Sequence, residues 1–293
     1  MARRVWRLFL WMSTLGIVGF YLRQIWEAGL GQRRMRSDGR GATFPLATAQ
    51  PHVTIIVPAR NEARNIRRCV ASLLGQAYPH FDVVVVDDGS TDATPAILAE
   101  MQRGPGGARL QVVPAGSLPA GWAGKPHAMA VGAAHARGTW LLFTDADTLH
   151  RPDALTWAMR EATARHADLF SLVSQMEYPD ISSHIVLPVV LMGITAQYPP
   201  AQVLNPTRAA AIANGQFLLI RREAYNATGG YAGAALRASV VDDRDLAAAV
   251  KQRGGRVVVL NGANYVSVCM YRSAREQWRG WSKNAYTGSR GGP

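Results

Sequence analysis

Two pairs of acidic residues, each placed directly after a short hydrophobic run, have the clearest chemical potential in this chain. In the first, the run 139–143 leads into Asp145-Ala146-Asp147. Because alternate residues of an extended segment point to the same side, these two carboxylates are predicted to hold one hard cation against a diphosphate. Mg²⁺ or Mn²⁺ is expected, since both favour oxygen ligands and neutralise a departing nucleoside diphosphate. An isolated Asp-x-Asp is also common in solvated loops.

The second pair, Asp87 and Asp88, follows the run 81–86 and continues into Gly89-Ser90-Thr91-Asp92. A carboxylate here can accept hydrogen bonds from a nucleobase imide or from ribose hydroxyls, and Gly89 permits a sharp turn. The same residues are also typical of an ordinary turn in which Asp92 caps the following helix.

The elements around these pairs alternate between strand and helix patterns. Compact β-branched runs predict buried strands, and apolar residues at helical spacing predict helices between them, the first capped by Asn61. The strands are predicted at 53–57, 81–87, 110–113, 139–144 and 169–175, and helices at 66–74, 125–136 and 152–165. This order predicts an α/β fold with a mainly parallel sheet and helices on both faces. Both acidic pairs then lie at carboxyl ends of strands, where such sheets bind ligands.

The two acidic pairs occur in order after Val53-Thr54-Ile55-Ile56-Val57-Pro58-Ala59-Arg60-Asn61-Glu62. Together these segments resemble the inverting family 2 glycosyltransferases of the GT-A fold, over about 51–284. The resemblance implies a Rossmann-like nucleotide-sugar site. It places Pro58, Ala59, Glu62, Asp87 and Asp88 around the nucleoside, and it makes Asp145 and Asp147 the metal-binding motif, with Asp145 also near the donor.

A narrower likeness covers 121–126, then 213–217 and on to Gly230, then 271–273 and on to Lys283-Asn284. These segments are similar to enzymes that glycosylate carotenoids, hopanoids and related membrane lipids. The likeness implies that Lys125 lies near the sugar diphosphate and that Gln216 lies on the acceptor side. A lysine at a helix start is also consistent with simple solvation.

Val241-Asp242-Asp243 resembles the Glu-Asp pair of the same family, whose second acid is the catalytic base. By this resemblance Asp243 takes the proton from the acceptor hydroxyl, and Asp242 stands where the family usually has glutamate. The two acids are equally suited to the first turn of a helix, where they complement its dipole. Both interpretations are compatible.

Basic and tryptophan residues alternate near the C-terminal end of the chain. Arg272 and Arg279 belong to a basic stripe, and Trp278 and Trp281 to the same predicted helix. Such a helix suits the headgroup layer of a membrane beside the acceptor, although an amphipathic helix packed on the domain is the plainer alternative. The apolar run 185–194 is predicted as a buried helix or strand, or as a wall for a lipid acceptor.

The N-terminal segment combines arginines with a charge-free run. Residues 1–40 hold eight arginines against Glu27 and Asp38, half of the net charge of +12, and residues 8–22 carry no charge. This pattern predicts an uncleaved membrane anchor, with a surface-lying helix as the alternative. The predicted organisation is an anchor at 1–30, a basic linker at 31–51, a catalytic domain at 52–268 and an interfacial helix at 269–293, after which further membrane helices are expected. Cys69 and Cys269 have no partner at metal or redox spacing.

The sequence therefore predicts a glycosyltransferase that moves a sugar from a UDP- or GDP-linked donor, UDP favoured, to a membrane lipid. Its partners are an anionic bilayer and its lipid acceptor, with no nucleic acid, at the cytoplasmic face of a bacterial inner membrane. Two alternatives compete: a nucleotidyltransferase, which normally opens with a glycine-rich loop that this chain lacks, and a non-catalytic basic scaffold.

Overall fold

A central seven-stranded sheet organises the chain, with strand order β3-β2-β1-β4-β8-β6-β9. The computed structural model describes residues 6, 11–16, 18–23, 26, 29, 33, 35–37 and 50–290. The strands are β1 Val53–Ala59, β2 Phe81–Asp87, β3 Leu110–Pro114, β4 Trp140–Phe143, β5 Thr148–His150, β6 Leu169–Val173, β7 Gln175–Met176, β8 Leu218–Arg221, β9 Val257–Asn261 and β10 Val266–Val268. A second sheet, β5-β10-β7, lies beside the first.

The helices alternate with these strands, as the periodicity predicts. They are α1 Ile66–Leu74, α2 Thr94–Arg103, α3 Gly124–His135, α4 Ala154–Ala164, α5 Ile181–Gln197, α6 Pro200–Val203, α7 Arg222–Ala227, α8 Asp242–Gln252 and α9 Ala274–Arg290. Short 3-10 turns occur at Gly107–Arg109 and Gly230–Ala232.

The prediction of a mainly parallel sheet is confirmed, with one exception. Strand β8 runs antiparallel to both of its neighbours, β4 and β6, whereas the other pairs of the large sheet are parallel. No strand was predicted for this segment, for β9, or for β5 and β10 of the small sheet.

Helices cover both faces of the sheet because consecutive strand residues alternate between two cores. Ile55 packs into the core that contains α1 and α4, whereas Ile56 packs into the core that contains α3 and α8. Helix α3 approaches the sheet closely at Gly132, where an added Cβ would lie 2.4 Å from a methyl carbon of Ile56. A glycine is needed there because any side chain would push the helix away from the sheet.

The predicted cap of the first helix is wrong. Asn65, not Asn61, precedes α1, and Asn61 adopts a left-handed conformation with φ of 57°. The side-chain oxygen of Asn61 instead accepts a hydrogen bond from the Thr91 N–H at 2.8 Å. Asn61 thus ties the loop after β1 to the loop after β2, both of which border the candidate site.

Helix α5 contradicts the expectation of a buried apolar segment. Ile181, Ile185 and Val189 are 81%, 64% and 63% exposed, while Leu187 is buried. The three exposed residues recur every four positions, so they form one apolar stripe along the outer side of the helix. This exposed stripe fits the second alternative, a wall for an apolar ligand, better than a buried core element.

The predicted anchor (1–30) and linker (31–51) lie largely outside the described residues. Within the described part of the chain, no helix has the length and apolar character needed to cross a bilayer.

Candidate active site

The ends of β1 and β2 bring the predicted nucleoside residues together. Ala59 is paired with Asp87 across the two parallel strands, and the Asp88 N–H donates to the Ala59 carbonyl at 2.9 Å. Pro58 precedes Ala59 within β1. Parallel strands that end in register present their last residues at one edge, so Pro58, Ala59, Asp87 and Asp88 border the same cleft.

The two carboxylates of this edge have different surroundings. The Asp87 Oδ1 accepts a hydrogen bond from the Ser90 N–H at 3.1 Å, within a turn where Gly89 has φ of 70°. The Asp88 carboxylate lies 3.3 Å from the Arg60 guanidinium and next to Gly124 at the start of α3. Asp87 therefore shapes the turn, and Asp88 is the carboxylate directed at the start of α3.

The Asp-x-Asp motif lies on a turn between β4 and β5, so the expectation of an extended segment is wrong. The backbone carbonyl of Asp145 accepts a hydrogen bond from the Thr148 hydroxyl at 2.8 Å, which closes the turn around Ala146. The turn nevertheless brings the two carboxylates within range of each other's charge. The Asp145 carboxylate therefore contributes to raising the pKa of Asp147.

Asp147 carries a buried carboxylate oxygen that has no hydrogen-bond partner. Burial first, and then the charges of Asp145 and Glu62, raise the pKa of Asp147 to about 7. Burial, together with the charges of Asp145 and Asp92, likewise raises the pKa of Glu62. An unpaired buried carboxylate among other acids favours the binding of a cation, because the cation offsets both the burial of the charge and the repulsion between the acids. The residues thus fit a divalent ion.

No set of three His, Cys, Asp or Glu side chains within the described chain is arranged to hold a metal ion by itself. Magnesium sites that act on nucleotides commonly use one or two carboxylates and complete the shell with phosphate oxygens and water.

Lys125 forms the centre of the acidic cluster. Its ammonium lies 2.5 Å from Asp145 Oδ1. Burial alone lowers the pKa of Lys125, but the carboxylates of Asp145, Asp242 and Asp243 outweigh burial and raise it above the ordinary lysine value. A permanently charged ammonium at the start of α3 is suited to contact a diphosphate.

Gly215 marks the point where three charged groups meet. A Cβ built on this glycine would lie 3.3 Å from Lys125 Nζ, 3.5 Å from Asp243 Oδ2 and 3.8 Å from Asp145 Oδ2. The absence of a side chain at residue 215 therefore keeps a space open between the lysine and the two carboxylates.

Asp242 and Asp243 begin helix α8, as the helix-start interpretation predicts. Asp243 Oδ2 accepts a hydrogen bond from the Gly215 N–H at 2.9 Å, and Oδ1 accepts one from the Arg244 N–H. Burial raises the pKa of Asp243, and the Lys125 ammonium restrains that rise. Asp242 is 5% exposed with one unpartnered oxygen, and its pKa rises to about 6 because of burial.

The residues predicted for the acceptor side fall into two groups. Gln216 is 2% exposed, and its side-chain oxygen accepts a hydrogen bond from Asn214, so it lies under the site rather than in the open cleft. Arg272 donates to Asn65 at 3.0 Å, beside Glu62. Trp278 is 77% exposed, Arg279 is also exposed, and Trp281 is half-buried with an unpartnered Nε1.

A cleft of about 510 Å³ separates α5 from α9. It is lined mainly by apolar surface and includes both tryptophans of α9; its lining residues are Ser182, Val186, Ala274, Gln277, Trp278, Trp281 and Ser282. A buried oxygen of Gln277 and the Trp281 Nε1 lack partners there. The cleft thus offers an apolar wall with two unpartnered polar atoms buried beneath its surface.

Two tyrosines near the cluster were not identified from the sequence. Burial and the charge of Asp147 raise the pKa of Tyr271, which places this ring near the acidic turn. Burial and the charges of Asp242 and Asp243 raise the pKa of Tyr231 well above its usual value. Tyr271 lies in a motif already noted, but no spacing pattern points to Tyr231.

Comparison with known proteins agrees with this geometry. Residues 54–229 match the family model described as Glycosyl transferase family 2. The chain is 31% identical over 247 residues to 4,4'-diaponeurosporenoate glycosyltransferase of Staphylococcus aureus (strain bovine RF122 / ET3-1), an alignment that covers 82% of this chain. The chain spans 62% of the length of that relative.

Solved structures show the same fold. A mannosyltransferase from Pyrobaculum calidifontis in complex with GDP-Man and Mn²⁺ superposes with a TM-score of 0.63 at 23% identity, covering 89% of this chain and 70% of the other. S. aureus TarS residues 1–349 in complex with UDP-GlcNAc superposes with a TM-score of 0.52 at 20% identity, covering 77% of this chain and 60% of the other.

Proposed function

The chain belongs to glycosyltransferase family 2, and from this premise we propose that it transfers one sugar from a nucleotide-sugar donor to a membrane lipid, with inversion at the anomeric carbon. Family membership favours this reaction over the nucleotidyltransferase and scaffold alternatives. The observation that carries the proposal is the convergence of Lys125, Asp145 and Asp243 around Gly215. A diphosphate, a cation and an acceptor oxygen each find a suitable partner within that small region.

The donor is proposed to bind along the ends of β1 and β2. Asp88, beside the start of α3, accepts hydrogen bonds from the nucleoside, while Pro58 and Ala59 form the floor. Lys125 contacts the diphosphate with its ammonium. Similar proteins were solved with GDP-Man and with UDP-GlcNAc, so either nucleotide is compatible, and a uridine donor is the favoured one.

Asp145 and Asp147 are proposed to hold Mg²⁺ or Mn²⁺. The orphaned oxygen of Asp147 and the raised pKa of its carboxyl support this assignment. When bound, such an ion neutralises the negative charge that accumulates on the leaving diphosphate. Glu62 adds negative charge on the nucleoside side of the same turn.

Asp243 is proposed as the general base. Its carboxylate removes the proton of the acceptor hydroxyl while that oxygen forms a bond to the anomeric carbon. The bond between the anomeric carbon and the diphosphate breaks, and its electron pair leaves with the diphosphate. The Gly215 N–H fixes one carboxylate oxygen of Asp243, which orients the base toward the shared space.

The acceptor is proposed to be a lipid with a hydroxyl or carboxyl group, such as a carotenoid or hopanoid. The curated relative is named for a carotenoid acceptor. In this chain the apolar cleft between α5 and α9 and the exposed stripe of Ile181, Ile185 and Val189 are suited to an apolar acceptor and to the bilayer that contains it. Exposed arginines at 272, 275 and 279 lie just before α9 and in its first two turns, and they suit anionic headgroups.

The domain organisation predicted from the sequence, with an anchor at 1–30, a catalytic domain at 52–268 and an interfacial helix at 269–293, completes the proposal. It places the catalytic domain at the cytoplasmic face of the membrane, where nucleotide sugars are available.

Asp243→Asn tests the proposed base. The variant keeps the size of the side chain and one of its two hydrogen-bond acceptors but cannot accept the proton, so kcat should fall about 10²- to 10⁴-fold. Binding of UDP and GDP, measured by calorimetry with Mn²⁺ and with EDTA, should change little.

Asp245→Asn is the matched control, because Asp245 lies in the same helical turn but bonds to Ser239 and Arg244. It should retain transfer. Loss of nucleotide binding in Asp243→Asn would move this residue to the donor site, and full transfer activity would remove it from the mechanism.

A further inference from the structure

A buried histidine lies directly beneath the acidic turn. His150 is 4% exposed, and its Nε2 lies 3.0 Å from the hydroxyl oxygens of both Thr144 and Thr148. None of these three residues faces the open cleft, since all are buried. The cluster of Thr144, Thr148 and His150 is called the threonine-histidine hub below.

Each hydroxyl of the hub has already used its single proton. The Thr148 hydroxyl donates to the Asp145 carbonyl at 2.8 Å, and the Thr144 hydroxyl donates to the Gln216 carbonyl at 2.7 Å. A hydroxyl has one proton and two lone pairs, so both oxygens can only accept from the imidazole. With this arrangement of the hydroxyl protons, His150 Nε2 carries the proton and shares it between the two threonines, whose hydroxyl oxygens also lie 3.1 Å from each other. Burial lowers the pKa of His150 to about 3, which keeps the ring neutral.

The hub joins the two halves of the candidate site. On one side it holds the carbonyl of Asp145, which belongs to the acidic turn. On the other side the hub binds the carbonyl of Gln216. Gln216 directly follows Gly215, and the Gly215 N–H donates to the Asp243 carboxylate. Through the two threonines, one imidazole nitrogen thus connects the turn that contains Asp145 and Asp147 to the segment that orients Asp243.

We propose that His150 is a positioning residue: its Nε2–H locks the acidic turn of Asp145 and Asp147 at a set distance from the segment that orients Asp243. This proposal rests on the proposed function of the same site. It differs from a purely structural role because it requires a donor at Nε2, not merely a side chain that fills the space.

Two substitutions at this buried position distinguish a hydrogen-bond donor from a side chain that only fills the space. His150→Phe fills the space without a donor, whereas His150→Gln places an amide N–H near the position of Nε2. We expect His150→Phe to weaken Mn²⁺ binding and to lower kcat/KM about 10- to 100-fold, the usual cost of losing a group that orients metal ligands. His150→Gln should recover most of this loss. His135→Phe, an exposed histidine of α3, is the matched control and should resemble the wild type.

The two threonines allow the proposal to be tested even if His150→Phe does not fold. Thr148→Val removes the hydrogen bond to Asp145 and should mainly weaken the binding of Mn²⁺. Thr144→Val removes the hydrogen bond to Gln216 and should mainly lower kcat, with Mn²⁺ affinity close to that of the wild type. A general loss of packing would not divide in this way.

The measurements are calorimetric titration with Mn²⁺ alone and with UDP, steady-state kcat and KM for the donor, thermal unfolding, and ¹⁵N spectra of labelled histidine. The wild-type spectrum should show the Nε2–H tautomer for His150. Equal activity and Mn²⁺ affinity in His150→Phe and His150→Gln, or an Nδ1–H tautomer, would overturn the proposal. If the wild-type protein itself shows no metal-dependent nucleotide binding, the proposed function fails first, which is a distinct result.

Discussion

Replacing Asp147 with asparagine should stabilise the metal-free protein above neutral pH. The pKa of Asp147 rises from 3.8 to about 7, chiefly because of burial and then because of its acidic neighbours. Between these values the unfolded chain has lost the proton while the folded chain keeps it. The free energy of unfolding therefore falls as the pH rises through this window, and the loss is complete above about pH 7.

The size of this effect follows from the shift. At about 1.4 kcal/mol per pKa unit, a shift of about three units sets an upper bound of about 4 kcal/mol. Because neighbouring acids share the repulsion, we expect Asp147→Asn to gain about 1–3 kcal/mol at pH 8. At pH 5 only about a third of this gain should remain, since most of the window lies above that pH.

Urea unfolding at pH 5 and pH 8, with and without Mn²⁺, measures this prediction. At 100 times its Kd, Mn²⁺ should stabilise the wild type by about 2.7 kcal/mol and the variant by much less. Asp145→Asn is the contrasting variant: it breaks the ion pair with Lys125 and should destabilise the metal-free protein at both pH values.

A lower stability of Asp147→Asn at pH 8, or an effect of the same size at pH 5, would show that the Asp147 carboxylate does not destabilise the metal-free fold. Equal stabilisation of variant and wild type by Mn²⁺ would separately remove Asp147 from the cation site.

Three further predictions address the charged cluster and the outer surface. Lys125→Met should move the acidic limb of the kcat/KM profile to higher pH, because the pKa of Asp243 then rises unopposed; an unmoved limb would contradict this. Gly215→Ala places a methyl group 3.3 Å from Lys125 Nζ, and kcat/KM should fall about 10²-fold while the unfolding temperature changes little. The double variant Ile185→Ser and Val189→Ser should reduce binding to anionic lipid vesicles in flotation assays while Mn²⁺-dependent UDP binding is retained, and unchanged flotation would argue against membrane contact by α5.

Much of the sheet could be predicted because its strands have a strong local signal. The runs that form β1 and β2 are continuous β-branched segments, which only a strand buried on both faces accommodates. Strand β8 was missed because it runs antiparallel to its neighbours, so it falls outside the alternation of strand and helix that marks the parallel strands.

Helix α5 shows where composition is insufficient. A run of apolar residues without a polar face predicts burial, yet which side of the helix is covered depends on the elements that pack against it. Here α9 contacts only one side, and the stripe that includes Ile185 remains exposed.

The chemical types and the order of the site residues could be predicted from local patterns: acids after β2 and β4, a lysine at the start of α3, and an acidic pair at the start of α8. Local patterns suffice for these because strand ends, turns and helix starts involve only neighbouring residues. The packing of the elements was needed to show that Lys125 pairs with Asp145, that the Gly215 N–H binds Asp243, and that the Thr144 hydroxyl reaches the Gln216 carbonyl. Those contacts connect residues 20 to 72 positions apart along the chain, and their distances depend on how the sheet and helices pack together.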